Sequence, residues 1–465
     1  MSVGLWHAYR FMLAAVTFAV LAASPPAPSP VEAILGRALT DGATLATVTD
    51  LSDRIGPRLS GSSGAAEAVR WGVEQFQAAG VPVRTEAVTV TSWTRGEERG
   101  EVLAGPGHRA WPLALTALGG SPPTPAGGIE AEVVEVTSLQ ALATAPVQGR
   151  IVYFHHRMST AEGYGEASEL RSFGPEKAAE RGAVATMVRS AASASLRTPH
   201  TGVVVFGPGK RPIPAVAIAT EDAEALHRWL AAAPVRVRLT LGCRSGADVV
   251  SANVVGEIRG RERPSEIVLL GAHLDSWDLA VGAQDDGAGV AMVLEAARLI
   301  ARIRPAPRRT LRFVLFMNEE NGGAGSHGYA DAHAGEVHVA ALEADAGAGR
   351  PIWVGVRGGE GAESFLGPLL QPLAALGVDP QPRRTAHHGA DLTALARKRG
   401  LPTVHLWQDP THYFDVHHSA ADTLDKIDPV ALAQASAATA WLAWALADAA
   451  GALAPPPIES PERVR

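Results

Sequence analysis

The sequence predicts an α/β protein, with a mainly parallel sheet flanked by helices and an inserted, mostly β domain. Three observations predict it. Apolar strand-like runs alternate with helical stretches from Val249 to Trp407, the pattern of a doubly wound sheet. Between Thr94 and Gly246 the texture changes to short strands separated by Gly and Pro. The 465 residues are 46% hydrophobic and 19% charged, with mean hydropathy +0.06. Such a chain packs into about three units of ~150 residues and lies outside the disordered class.

Residues 1–30 read as a secretory signal. Arg10 supplies a positive flank, Phe11 to Ala23 an apolar run, and Ala22, Ala23 and Ser24 small residues ahead of Pro25-Pro26. Cleavage is expected between Ala23 and Ala33. The run is shorter than the ~20 residues of a spanning helix, so a secreted or periplasmic protein without a membrane anchor after cleavage is expected. Residues 31–93 form the first part of the catalytic domain and read as helix, helix, strand. Gly64 to Ala79 carries Ala65, Val69, Val73 and Phe76 near helical spacing and closes at Gly80, and Val83 to Val90 alternates as a strand does.

Residues 94–246 are the insert, in which GRIVYFHHR and AVATMV read as strands and EKAAER as a helix. RPIPAVAIATEDAEALHRWL adds a strand and a capped helix. Residues 247–454 are the main catalytic part. They comprise strands Val249–Ile258, Ile267–Gly271, Thr310–Met317, Val337–Glu343 and Thr403–Trp407, and a helix from Gly287 to Ile303. A last helix opens at Asp428-Pro429, an N-cap followed by a first-turn proline, and runs towards Gly451. Asp448 would be costly inside a bilayer, so this apolar helix is expected to pack on the domain. Residues 455–465 read as a disordered tail.

Composition excludes several functions. Lys plus Arg is 41 against 48 Asp plus Glu, a formal charge of −7, which offers no basic surface to a phosphate backbone. The single cysteine, Cys243, excludes an intramolecular disulfide framework and any multi-thiolate metal site. No G-x-S-x-G elbow supports a serine hydrolase. A metal would have to be held by His and carboxylates, and 16 His are present.

In open α/β sheets, ligands bind beyond the carboxyl ends of the strands. The residues following the strands of the second half are His273-Leu274-Asp275, Glu319-Glu320 and Asp345. Asp285-Asp286 lies in the loop after the first of these strands, and a polar loop carrying His417-His418 and Asp422-Thr423 follows Trp407. A lone surface His or Asp is a solvated group far more often than a ligand; the coincidence at one sheet edge carries the reading. His273, Asp285, Glu320, Asp345 and His418 give two imidazoles and three carboxylates. If Asp285 bridges, each of two ions receives one His, one further carboxylate and a share of the bridge. Zinc suits these donors, and paired ions can hold a nucleophile and a developing oxyanion. Asp275, two residues past His273, would share its face on extended backbone and accept the ring N–H turned away from the metal. Adjacent glutamates diverge, so one of Glu319 and Glu320 can ligate while the other moves a proton. Gly322, Gly323 and Gly325 would let the backbone approach the site. His155-His156 in the insert are expected to be structural, and no metal ligand is expected there.

Four segments, HLDSWDLAVGAQDDGAG, NEENGGAGSHGY, EADAGAG and YFDVHHSAADTLDKIDP, together resemble the co-catalytic di-zinc aminopeptidase/carboxypeptidase family, most of all its carboxypeptidase Q type. GPRLSGSSG (Gly56–Gly64) resembles the family's N-terminal segment, and the insert resembles a protease-associated domain. The resemblance implies a phosphorylase/hydrolase-like fold and two zinc ions per chain. It puts His273 and Asp345 on one ion, Glu320 and His418 on the other, and Asp285 between them. It makes Glu319 the general base acting on a bridging hydroxide and places Asp275 behind His273. It selects His418 over His417 because Asp422-Thr423 follows four residues later. The implied activity is exopeptidase action on short peptides, dipeptides foremost, and related enzymes are often homodimers. The alternatives are a single-zinc glutaminyl cyclase on the same fold and an inactive binding or receptor-type homologue.

Overall fold

The computed structural model describes residues 29–104, 110–158 and 160–457. The signal expected over residues 1–30 therefore lies almost wholly outside the described residues, as do residues 458–465 of the tail.

The larger of two eight-stranded sheets contains strands Val83–Thr94, Arg244–Ile258, Arg309–Phe316, Arg263–His273, Val337–Glu343, Thr403–Gln408, Pro351–Arg357 and Arg383–Arg384, in that spatial order. Its four central strands, from Arg309–Phe316 to Thr403–Gln408, are mutually parallel. Flanking this centre the pairing turns antiparallel, while the outermost pair, Pro351–Arg357 with Arg383–Arg384, is parallel again, so the sheet is mixed and mainly parallel. The central strands are apolar because both faces are covered: Arg309–Phe316 is buried at every position. Helix Ala288–Ile300, apolar nearly all round, packs on that sheet and against the last helix, Pro429–Asp448, which also touches the sheet. Asp428 caps the last helix by accepting from the Val430 and Ala431 amides at 2.8 and 3.3 Å. This helix is apolar enough to cross a membrane, yet 78% of its apolar window is buried in the protein, as expected of a packed helix. The chain beyond it stays packed at first, with Leu453 and Pro456 buried and the Ala454 carbonyl accepting from Gly359 N at 2.7 Å.

Strand Val83–Thr94 pairs antiparallel with Arg244–Ile258 from Val83↔Gly256 to Thr94↔Arg244. The chain thus leaves the large sheet after Thr94 and re-enters it at Arg244. Between these points it builds the second sheet, whose centre is the parallel set Ile129–Val136, Ile151–Phe154, Ala185–Arg189 and Ala215–Ile218. Helices Tyr164–Glu180 and Thr220–Ala232 pack on it, so this region is itself α/β and the expectation of a mostly β insert is corrected. Parallel strands need crossover connections, and helices supply them.

Candidate metal centre and active site

His273 ends the central strand Arg263–His273 and is 1% exposed. Its Nε2 lies 3.1 Å from Asp285 Oδ1 and 3.7 Å from Asp345 Oδ1. The other oxygen of Asp285, Oδ2, lies 3.2 Å from His418 Nε2, and that nitrogen is 3.0 Å from Glu320 Oε2. Asp285 therefore faces one imidazole with each oxygen, and each imidazole has a second carboxylate beside it. His417 also approaches Asp285 Oδ2, at 3.4 Å, with its ring stacked on His418 at 3.6 Å. Among the described residues, His418 is the imidazole that forms ion pairs with both Asp285 and Glu320.

The residues fit metal ions. Asp285 Oδ2 and Glu320 Oε2 are buried, close to imidazole nitrogens, and without a hydrogen-bond partner. Buried polar atoms are rarely left so. His273 Nε2 does bond Asp285 Oδ1, at 3.1 Å, but the two orphaned carboxylate oxygens beside His418 suit a cation placed among them. Charge leads to the same conclusion. Burial, with Asp285 nearby, pushes the Glu320 carboxyl up to about 7. Burial also pushes Glu319 well above its ordinary value, with Asp345 and Glu320 adding to the effect, and Glu343 up to about 8.

The backbones that carry His273 and Asp285 are braced by buried hydrogen bonds. Asp422 accepts from the Gln284 and Asp285 amides at 2.6 and 3.1 Å. Asp286 accepts from the His273 and Gly289 amides at 3.1 and 3.0 Å, and a Cβ on Gly289 would fall 1.8 Å from the Ala344 carbonyl oxygen. Arg58, fully buried, donates to the carbonyls of Leu274, Val281 and Gly282 at 2.7, 2.5 and 3.0 Å. The segment Gly56–Gly64 thus clamps the loop between His273 and Asp285. Sequence reasoning gave Arg58, Asp286 and Asp422 no structural task, although each stands inside a motif it singled out.

Asp275 requires a correction. His273 Nδ1 bonds the backbone carbonyl of Asp275, at 3.0 Å, rather than its carboxylate. The strand ends at His273, so the side-chain parity of extended backbone no longer holds two residues on. The carboxylate instead accepts from the Asn318 and Glu319 amides at 2.7 and 3.1 Å and from Ser60 Oγ at 3.1 Å, fixing the turn that presents Glu319. The glycines have a different task from the expected one. Asn318 turns at φ +77, and a Cβ on Gly325 would lie 2.3 Å from the Met317 carbonyl oxygen, so Gly325 lets this turn fold back on its own strand.

Asp285, Glu319, Glu320, Asp345 and His418 open into a cavity of about 870 Å³. Trp353 and Trp407, a cross-strand pair stacked at 4.9 Å, form an apolar wall with His387 and His405. Burial pushes His405 down to about 3, so this wall is neutral. Tyr164, Arg171 and Val203 of the second region also line it. Outside this centre, Glu135, His155 and His227 also lie together, with donor atoms within 4.8 Å.

Comparison with known proteins agrees with this geometry. Residues 253–443 match the profile of Peptidase family M28. Carboxypeptidase Q of Mus musculus is 35% identical over 407 residues, covering 86% of this chain and 84% of that protein. The chain belongs to peptidase family M28. With that membership goes the class of a zinc-dependent exopeptidase of carboxypeptidase or aminopeptidase type. Carboxypeptidase Q of Homo sapiens is 34% identical over 86% of this chain and 84% of its own length. A Peptidase M28 precursor from Shewanella amazonensis has a TM-score of 0.86 at 37% identity, over 92% of this M28 chain and 98% of that structure. A zinc aminopeptidase from Bacillus subtilis shares the fold, with a TM-score of 0.63 at 19% identity over 87% of this chain and 94% of that one.

Proposed function

We propose that this M28 peptidase is exported, holds two zinc ions and hydrolyses short peptides, dipeptides foremost. The observation that carries the proposal is Asp285, with one oxygen 3.1 Å from His273 Nε2 and the other 3.2 Å from His418 Nε2. In this reading His273 and Asp345 hold one ion, Glu320 and His418 hold the second, and Asp285 reaches both. When bound, the ions acidify water and polarise the scissile carbonyl.

Glu319 lines the cavity, and among the described residues none hydrogen-bonds its carboxylate. That carboxylate takes the proton of the attacking water and returns it to the leaving nitrogen. Asp275 is a positioning residue, acting through the Asn318 and Glu319 amides. Residues 94–246 act as a protease-associated type of insert whose Tyr164, Arg171 and Val203 limit access to the cavity. Export rests on Arg10 and the apolar run Phe11–Ala23 ahead of small residues.

The test is a panel of defined dipeptides and tripeptides, with free and blocked termini, presented to the zinc-loaded mature protein. Unblocked dipeptides are cleaved, and chelation abolishes cleavage. Cleavage of internal bonds in peptides blocked at both ends would contradict the exopeptidase reading.

A further inference from the structure

Arg171 is the single Arg or Lys among the described residues lining the cavity, where Glu162, Asp285, Glu319, Glu320, Glu343 and Asp345 are the acids. It reaches the cavity from helix Tyr164–Glu180 and is 5% exposed. Charged side chains are almost never fully buried unless paired, yet among the described residues no carboxylate forms an ion pair with Arg171. Its Nη1 donates to the Thr201 carbonyl at 3.2 Å and its Nη2 to Tyr164 Oη at 3.2 Å. Its Nε is buried and has no partner. The neighbouring backbone is shaped around the group, since a Cβ on Gly202 would lie 2.2 Å from Arg171 Cζ.

The distance from the metal centre is set by Thr201. His418 Nδ1 lies 3.4 Å from the same Thr201 carbonyl oxygen, and Thr201 N donates back to the His418 carbonyl at 2.8 Å. One carbonyl oxygen thus lies between the guanidinium and an imidazole whose Nε2 faces Asp285 and Glu320. A peptide whose scissile carbonyl sits at the centre advances at most ~3.6 Å per residue. The α-carboxylate of the residue directly after the scissile bond lies on this short path between the centre and Arg171.

We propose that Arg171 is the carboxylate receptor of this site, binding the free α-carboxylate of the residue that follows the scissile bond. A guanidinium suits that task because its planar fork matches a carboxylate. The enzyme then reads the carboxyl end of its substrate and releases a single C-terminal residue. This rests on the exopeptidase reading above and sharpens it. An amidated or extended carboxyl side leaves the buried cation unpaired, which disfavours binding.

The experiment compares a dipeptide carrying a free carboxylate with its C-terminal amide, using zinc-loaded wild type, Arg171→Met and Arg171→Lys. Wild type is expected to favour the free acid by about 10²-fold in kcat/KM. Arg171→Met loses about that factor on the free acid, mainly through KM, and loses far less on the amide, with its zinc content kept. Arg171→Lys falls between the two. Inhibition by the free amino acid product weakens in Arg171→Met, and inhibition by the corresponding amino acid amide does not. Equal loss on acid and amide would overturn the proposal and leave Arg171 as a support for Thr201 and His418. Wild type without preference for the free acid would overturn the carboxylate assignment while leaving exopeptidase action standing. Cleavage of neither compound would overturn both.

Discussion

In the second region, Glu224 on helix Thr220–Ala232 accepts from Arg157 at 2.7 Å and from Arg189 at 3.2 Å, with His155 Nε2 3.5 Å away. Burial alone would raise this carboxyl, but the three cationic groups hold it down to about 2. Glu320, beyond strand Arg309–Phe316, has acids for neighbours as well as His418, and burial raises it to about 7. Both glutamates meet histidine. They differ in charge balance. The second region neutralises Glu224 with arginine, whereas the large sheet gathers acids and imidazoles at one edge with, among the described residues, no arginine in ion-pair contact. That uncompensated edge is where cations and chemistry belong, and Glu135, His155 and His227 need no ion to balance them. The contrast explains why a cluster of donor atoms is by itself a weak sign of a metal centre.

The largest expected effect breaks the comparison at the metal centre. Glu319→Gln should keep its full metal content and lose at least ~10²-fold in turnover, the usual scale for a positioned general base. Glu320→Ala should lose one zinc and its activity, measured as metal content beside turnover. The reverse pattern would exchange the two roles.

A smaller effect is expected in the second region. The folded-state value of Glu224 lies below its ordinary 4.5, so its contribution to stability is present above that value. It is lost as pH falls towards about 2. Glu224→Gln should cost ~2 kcal/mol near neutral pH, in the range for hydrogen bonds to charged groups. It should also flatten that acid limb in pH-dependent unfolding, with zinc content unchanged. Arg157, 67% exposed in its pair with Glu224, should cost under ~1 kcal/mol on replacement by Ala. Loss of zinc from Glu224→Gln would erase the distinction between the two regions.

The strands carrying the centre were legible because their burial on both faces wrote itself as apolar runs. Val337–Glu343 matches its expected bounds, and Thr403–Gln408 extends the expectation by one residue. The donors were legible because they stand where those runs stop. The orientation of Asp275 was not legible, since it depends on where the strand ends and on the Asn318 turn lying across from it. The aromatic wall was also hidden. Trp353 and Trp407 meet through a cross-strand register, which no local pattern in strand Pro351–Arg357 announces. Arg171 lay in a helix of the insert with no motif around it, and only the folding of that region against the loop at His418 gives it a place. Contacts between distant segments carry no local pattern, so motif reading reached the ligands before it reached their supports.

The central claim is that Asp285 joins two metal positions. Its most direct test is the zinc content of the purified, fully active wild-type chain, with turnover followed as zinc is titrated back after chelation. Two zinc ions per chain, both needed for full activity, are predicted. Full activity with one zinc per chain would contradict the account and turn attention to a single-zinc cyclase reaction on the same fold.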